Sequence, residues 1–357
     1  MVKIIIAAGG TGGHVYPAIS IGEVFRSNGD EVIFVGRAGS FEETKFKEYG
    51  FKVINIKSSM FQFNNFFKFF FDNLKGFLQS LSLISKERPD VVVGGGSYIS
   101  FPVIVSSLFR GVPYFLYEQN IIPGRANQIL KWRSKKVFIG FPDIYGYFKN
   151  KGIFSGNPIR FNIDNVDKNC ALDFFKFVEK PTLLIFGGSS GARKINTIFS
   201  DIIEKLISKI DMQVIFITGP KLFSEVSKIS EKFTENLRVF PYLERMDLAY
   251  AVSDFAVARG GAMTLTELVK SKVPAIVIPY PYARDNHQFK NALFLQNKGC
   301  VDVIDETKLN EDLLYQKLIY YFSRIDILKK MKENCSDIFP FKSEQIIYKT
   351  IKGSFYG

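Results

Sequence analysis

Short β-branched apolar runs that break into glycine recur along this chain, each followed by a stretch in which apolar residues return every three or four positions. The first, Lys3 to Ala7, passes through Gly9, Gly10, Gly12 and Gly13 into a helical pattern of Ala18, Ile19, Ile21 and Val24 that stops at Asn28-Gly29, with Pro17 expected in its first turn. A second run, Thr182 to Phe186, enters Gly187-Gly188-Ser189-Ser190-Gly191-Ala192-Arg193 and then a helical stretch from Ile195 to Ile207. Between and after them, Val91 to Val93 leads into Gly94-Gly95-Gly96-Ser97-Tyr98, Tyr114 to Tyr117 into Glu118-Gln119-Asn120, and Phe255 to Ala258 into Arg259-Gly260-Gly261-Ala262. This alternation predicts an α/β protein of two doubly wound, Rossmann-like domains, with ligands at the carboxyl ends of parallel strands and in a cleft between the domains. The polar, proline-containing segment Asn157 to Lys180 reads as the connection, giving domains over 1–158 and 159–340 and a final helix over 341–357 that returns to the first.

Residues 58–86 break the pattern. Phe63, Phe66, Phe67, Phe70, Leu74, Phe77, Leu78 and Leu81 share one helical face, expected to pack on the core, whereas Phe61, Phe69, Phe71 and Leu83 fall off it. Large apolar side chains on an outer face beside Lys68 and Lys75 suit an anionic bilayer surface, with Phe61, Phe69 and Phe71 as contacts, or else belong to a core helix with loosely packed aromatics.

Composition narrows the partners. The 357 residues carry 47 Lys and Arg against 35 Asp and Glu, a formal charge of +12 that favours anionic ligands and surfaces. Nucleic acid is not expected, because no zinc-finger spacing, RNP-type aromatic motif or compact arginine cluster accompanies that charge. Cys170, Cys300 and Cys335 are odd in number and widely spaced, which indicates neither a disulfide framework nor a cysteine metal site. No run of 18 apolar residues offers a membrane span.

Glycines at the end of the first strand let backbone N–H groups approach a ligand, and the helix N-terminus adds partial positive charge, which together suit phosphate. A dinucleotide is disfavoured: Gly10-x-Gly12-x-x-Val15 lacks the third fingerprint glycine, and the strand Glu31 to Val35 ends in Gly36-Arg37 instead of an acidic residue. His14 and His287 are the only two histidines. His14, at a helix start where the dipole disfavours imidazolium, is a candidate general base or simply a turn cap. Thr264-x-x-Glu267 reads either as a capping box or as a carboxylate set for sugar hydroxyls beside a phosphate-binding helix end. With no Asp-x-Asp pair in the chain, no metal or other cofactor is expected, and charge on a departing diphosphate falls to glycine-loop amides, helix ends and Arg160.

Taken in order, GGTGGHVYPA at 9–18, PDVVVGGGSY at 89–98, EQN at 118–120, GNPIR at 156–160, GGSSGAR at 187–193, RGGAMTLTE at 259–267 and DNHQ at 285–288 resemble the MurG family of peptidoglycan glycosyltransferases. The resemblance implies the GT-B fold and inverting transfer of N-acetylglucosamine from UDP-GlcNAc to undecaprenyl-pyrophosphoryl-MurNAc-pentapeptide. It implies a peripheral place on the cytoplasmic membrane face, with other cell-wall synthesis proteins as further partners. By similarity His14 is the base, with Glu118 an alternative or an orienting carboxylate. Thr11, Gly12, Gly13, Asn120, Arg160, Ser189 and Gln288 would meet the donor, with Leu243, Ala262, Met263, Thr264, Leu265, Thr266 and Glu267 around its nucleotide. Gly10, Gly94, Gly95, Gly96, Ser97 and Tyr98 would face the acceptor pyrophosphate. Two positions depart from the family pattern: Tyr117 stands where a histidine often precedes EQN, and Gly260 where a serine is common.

Overall fold

The structure, a computed structural model, describes residues 1–60, 66–160, 166–188 and 192–355. It divides into two units: Met1–Arg160 with Pro340–Gly357, and Phe161–Phe339.

In the first unit, the strands are β1 (Lys3–Ala7), β2 (Glu31–Gly36), β3 (Lys52–Asn55), β4 (Val91–Gly94), β5 (Tyr114–Glu118), β6 (Val137–Ile139) and β7 (Gly152–Phe154). Among the described residues they form one parallel sheet in the order β3-β2-β1-β4-β5-β6-β7. The helices α1 (Gly12–Ser27), α2 (Phe41–Glu48), α3 (Phe66–Glu87), α4 (Ser100–Phe109), α5 (Arg125–Leu130) and α6 (Tyr145–Phe148) connect them. Alternate strand residues face opposite sides. Ile4, Ile6, Phe34, Val91 and Phe115 pack beneath α1, while Ile5, Ile33, Val92 and Leu116 pack beneath α3 and α4.

The second unit repeats the plan with β8 (Thr182–Phe186), β9 (Gln213–Ile217), β10 (Leu237–Phe240), β11 (Phe255–Ala258), β12 (Ala275–Val277) and β13 (Val301–Val303), parallel in the order β10-β9-β8-β11-β12-β13. Its helices are α7 (Lys168–Phe175), α8 (Arg193–Lys209), α9 (Phe223–Ser230), α10 (Met246–Val252), α11 (Ala262–Lys270), α12 (His287–Asn297), α13 (Glu311–Phe322) and α14 (Ile325–Asn334). The last helix, α15 (Ser343–Gly353), belongs to the first unit. Its Ile347 and Ile351 join the core under α1, Tyr348 packs edge-on against Phe25 with ring centroids 4.9 Å apart, and Lys352 pairs with the buried Asp30 at 2.8 Å.

Two local expectations change. Pro17 lies well inside α1, because the glycine segment itself forms the first turn, and the Gly13 carbonyl is thereby left without its i+4 helical donor. The packing face of α3 also differs in part from the one expected. Phe67, Phe70, Phe71, Leu74 and Leu78 are exposed, Phe69 is half-buried and Leu83 is buried, whereas Gly76 and Ser80 face inward. Close approach explains this: a Cβ at Gly76 would collide with the Lys57 carbonyl oxygen, the Ser80 hydroxyl bonds the Gly76 carbonyl at 2.7 Å, and Ser106 of α4 donates to the Phe77 carbonyl at 3.0 Å. Phe61 and Phe63 lie outside the described residues.

Candidate active site

In each sheet the chain reverses its winding direction between the first strand of the unit and the strand on its other side, β1 with β4 and β8 with β11. Loops beyond such a switch point open into a crevice that suits ligands. In the first unit these are the loops leading into α1 and α4. Thr11 is the N-cap of α1, extended at φ −133° and ψ 164°, and its side chain makes no capping hydrogen bond. His14, half-buried in the first turn, places its Nδ1 2.9 Å from the Gly95 carbonyl oxygen. A carbonyl only accepts, so Nδ1 carries the proton and Nε2 is the basic nitrogen of the ring.

The glycine loops also bond within the protein. The Gly10 N–H donates to Glu42 Oε2 at 3.3 Å, and the Gly95 N–H donates to the Ala7 carbonyl at 2.9 Å. Gly94 ends β4, and Gly96 follows at a φ of 79°, where a Cβ would stand 3.0 Å from Asn127 Nδ2 and 3.2 Å from the Tyr117 oxygen. Only glycine suits that backbone. Ser97 Oγ lies 3.4 Å from Ser100 Oγ, and the half-buried Tyr98 ring sits 6.0 Å from the Arg37 guanidinium. Burial, and secondarily the Glu42 carboxylate, push the Tyr98 hydroxyl above its ordinary pKa, with Arg37 opposing.

Glu118, at the end of β5, is buried. Its Oε2 accepts from the Gly124 N–H at 2.7 Å and from Asn127 Nδ2 at 2.9 Å, while Oε1 accepts from the Asn120 N–H at 3.2 Å. Burial raises its pKa, and these donors pull the other way. The geometry is that of a carboxylate that orders the turn over 120–124, with Asn120 as one of its donors. Tyr117 is buried, and its hydroxyl donates to Asn157 Oδ1 at 2.6 Å. Arg160 stacks its guanidinium 4.3 Å from the Tyr16 ring centroid.

In the second unit, Ser189 lies outside the described residues, and Leu243 is a buried residue after β10. The helix α11 begins at Ala262 with Gly261 as an N-cap that supplies no side chain. Thr264 is therefore inside the helix, and the capping-box reading of Thr264 and Glu267 does not hold. Ala262, Leu265, Thr266 and Glu267 are buried, Met263 and Thr264 partly so. Thr266 bonds the Ala262 carbonyl at 2.9 Å, and Glu267 Oε2 accepts from the Tyr250 hydroxyl at 2.8 Å. Gly260 approaches the start of α12 so closely that a Cβ would stand 2.5 Å from the Gln288 carbonyl oxygen. Gln288 in turn accepts the Tyr280 N–H at 2.9 Å, and Asn291 Nδ2 donates to the Gly260 carbonyl at 3.3 Å. Arg259, ion-paired with Glu306, donates to the Ile278 carbonyl at 3.0 Å and so ties the ends of β11 and β12 together. The residues singled out from α11, α12 and the β10–α10 connection thus converge on one end of the second sheet.

Gln119 and Tyr250 carry no sequence signal of their own, since each acts on a partner far along the chain, Gly95 and Glu267 respectively. Only the position of Gln119 between Glu118 and Asn120 could have drawn notice. Among the described residues, no three His, Cys, Asp or Glu side chains gather as ligands for a metal ion.

Residues 4–139 match the glycosyltransferase family 28 N-terminal domain and residues 182–345 the glycosyltransferase family 28 C-terminal domain. The UDP-N-acetylglucosamine–N-acetylmuramyl-(pentapeptide) pyrophosphoryl-undecaprenol N-acetylglucosamine transferase of Ruminiclostridium cellulolyticum is 35% identical, over 98% of this chain and 99% of its own. The protein of the same name from a Thermoanaerobacter species is 33% identical, over 98% and 99%. In backbone the chain is similar to the crystal structure of Acinetobacter baumannii MurG, with a TM-score of 0.77 at 22% identity over 99% of this chain and all of that one. A putative UDP-N-acetylglucosamine 2-epimerase from Listeria monocytogenes shares the fold at a TM-score of 0.73, 12% identity, 99% of this chain and 96% of that one. Two Rossmann-like domains of the GT-B type, matched along nearly their full length by relatives that share one name, make this chain a member of glycosyltransferase family 28 and, within it, of the MurG family.

Proposed function

We propose that the chain transfers N-acetylglucosamine from UDP-GlcNAc to the MurNAc 4-hydroxyl of undecaprenyl-pyrophosphoryl-MurNAc-pentapeptide, with inversion and release of UDP. The observation that carries the residue-level reading is the bond from His14 Nδ1–H to the Gly95 carbonyl, which makes Nε2 the nitrogen that would take the proton. In the displacement, the 4-hydroxyl oxygen forms the new bond to the anomeric carbon as the bond to the UDP oxygen breaks, and the hydroxyl proton passes to His14 Nε2. The first unit takes the acceptor, with Gly96, Ser97 and the α1 start near its pyrophosphate, and Glu118 holds the adjoining turn. The second unit takes the donor: the N-terminus of α11 stabilises charge on the departing diphosphate, and Glu267 receives ribose hydroxyls.

Purified protein given UDP-GlcNAc and a lipid-linked acceptor analogue is expected to release UDP, and to do so equally in EDTA. Absence of UDP release with a competent acceptor would overturn the reading. Consumption of UDP-GlcNAc without any acceptor would point to epimerase chemistry instead.

No helix among the described residues is long and apolar enough to cross a membrane. The exposed Phe67, Phe70 and Phe71 face of α3, beside the exposed Lys68 and Lys75, supports peripheral docking on an anionic bilayer. This reading keeps Phe71, adds Phe67 and Phe70, and leaves the half-buried Phe69 out. Replacing Phe67, Phe70 and Phe71 by serine should greatly weaken sedimentation with vesicles containing anionic phospholipid while Tm stays nearly constant. Undiminished vesicle binding would remove α3 from the membrane contact.

A further inference from the structure

The Gly95 carbonyl that receives His14 Nδ1–H accepts a second time, from Gln119 Nε2–H, and both separations are 2.9 Å. Gln119 is 2% exposed and sits directly after β5. Its backbone is held as well, because its carbonyl accepts from Asn157 Nδ2 at 3.3 Å. The orientation of the side-chain amide is dictated by chemistry: turned over, it would press Oε1 against the Gly95 oxygen, two acceptors with no proton between them. As it stands, Oε1 is buried with no hydrogen-bond partner among the described residues. A buried amide that leaves its oxygen unsatisfied in order to donate to one particular carbonyl is under an uncommon constraint.

We propose that Gln119 is the positioning residue of the base. A carbonyl oxygen has two lone pairs; with one engaged by Gln119, the peptide plane is fixed and the other lone pair is aimed at His14 Nδ1–H. The imidazole is thereby kept in the tautomer opposite to the one free imidazole prefers, with Nε2 unprotonated. Gln119 acts only through Gly95 and touches no reacting atom. This inference rests on the reading of His14 as the base, and its consequence is a division of labour in the EQN segment, with Glu118 ordering the turn and Gln119 selecting the tautomer.

The test is ¹⁵N NMR of the full chain labelled at histidine, where only His14 and His287 contribute and a His287→Asn variant assigns the signals. At a pH where both rings are neutral, His14 is expected to show a protonated Nδ1 and an unprotonated Nε2. In Gln119→Met, which keeps length and apolar bulk but has no donor, the Nε2–H form should grow. The same variant should lower kcat at least tenfold while KM for UDP-GlcNAc moves less than twofold and circular dichroism stays unchanged. Should that variant not fold, Gln119→Asn, which withdraws the amide by one methylene, gives the same comparison. A His14 that is protonated at Nε2 in the wild type, or a tautomer and kcat unchanged in a folded variant, overturns the proposal. If the wild type transfers no sugar, or if His14→Ala turns over normally, the functional reading fails instead, and the tautomer measurement distinguishes the two.

Discussion

Replacing His14 by alanine should lower kcat by about a hundredfold or more, the range in which a positioned general base contributes to a rate. The expectation follows from geometry, since Nδ1 donates to the Gly95 carbonyl and Nε2 is then the nitrogen that would take the hydroxyl proton. The loss should fall on kcat more than on KM for UDP-GlcNAc, because proton transfer to a general base occurs in the transition state and not on donor binding. His14 is also half-buried and not part of the apolar core, so the fold should survive, with Tm close to that of the wild type. Steady-state kinetics with the lipid-linked acceptor analogue make the comparison. Normal turnover in a folded variant would shift the proton acceptor to another group.

Glu267→Ala should act on the opposite kinetic constant. A hydrogen bond to a charged group contributes about 1.5–3 kcal/mol, so losing the carboxylate proposed to receive ribose hydroxyls should raise KM for UDP-GlcNAc by about tenfold to a hundredfold. Ribose is remote from the breaking glycosidic bond, and the interaction is made equally in ground and transition states, so kcat should fall only slightly. Tyr250 supplies a control. Its hydroxyl donates to Glu267 Oε2 at 2.8 Å, so Tyr250→Phe should loosen the carboxylate and give a smaller rise in KM than Glu267→Ala. An unchanged KM in Glu267→Ala would place the ribose elsewhere.

The two-domain α/β plan was legible because each strand is a β-branched run that ends abruptly in glycine or in a polar loop, a signal local to about ten residues. What escaped is what depends on residues distant in the chain. The outward face of α3 escapes the periodicity because its inner side is made by Gly76, pressed against the Lys57 carbonyl, and by the buried Ser80, and small residues leave no mark in a pattern built on large apolar ones. The first turn of α1 begins earlier than the position of Pro17 suggests, because glycine, weak in helix interiors, here supplies the opening turn. Glu118 is visible as a carboxylate in the sequence, but its donors, drawn from Asn120, Gly124 and Asn127, show it engaged with its own loop. Which amides of the glycine loops are already used could be learned only from Glu42 and Ala7, which approach from α2 and β1.

The return of α15 to the first unit orders events on the ribosome. Ile347 and Ile351 cover apolar surface under α1, and Lys352 neutralises Asp30, yet all three emerge only after the whole of residues 161–339 has been made. The nascent first unit therefore carries an uncovered apolar strip and a buried-side aspartate without its cation while the second unit is translated. The later unit can complete its core before the earlier one does.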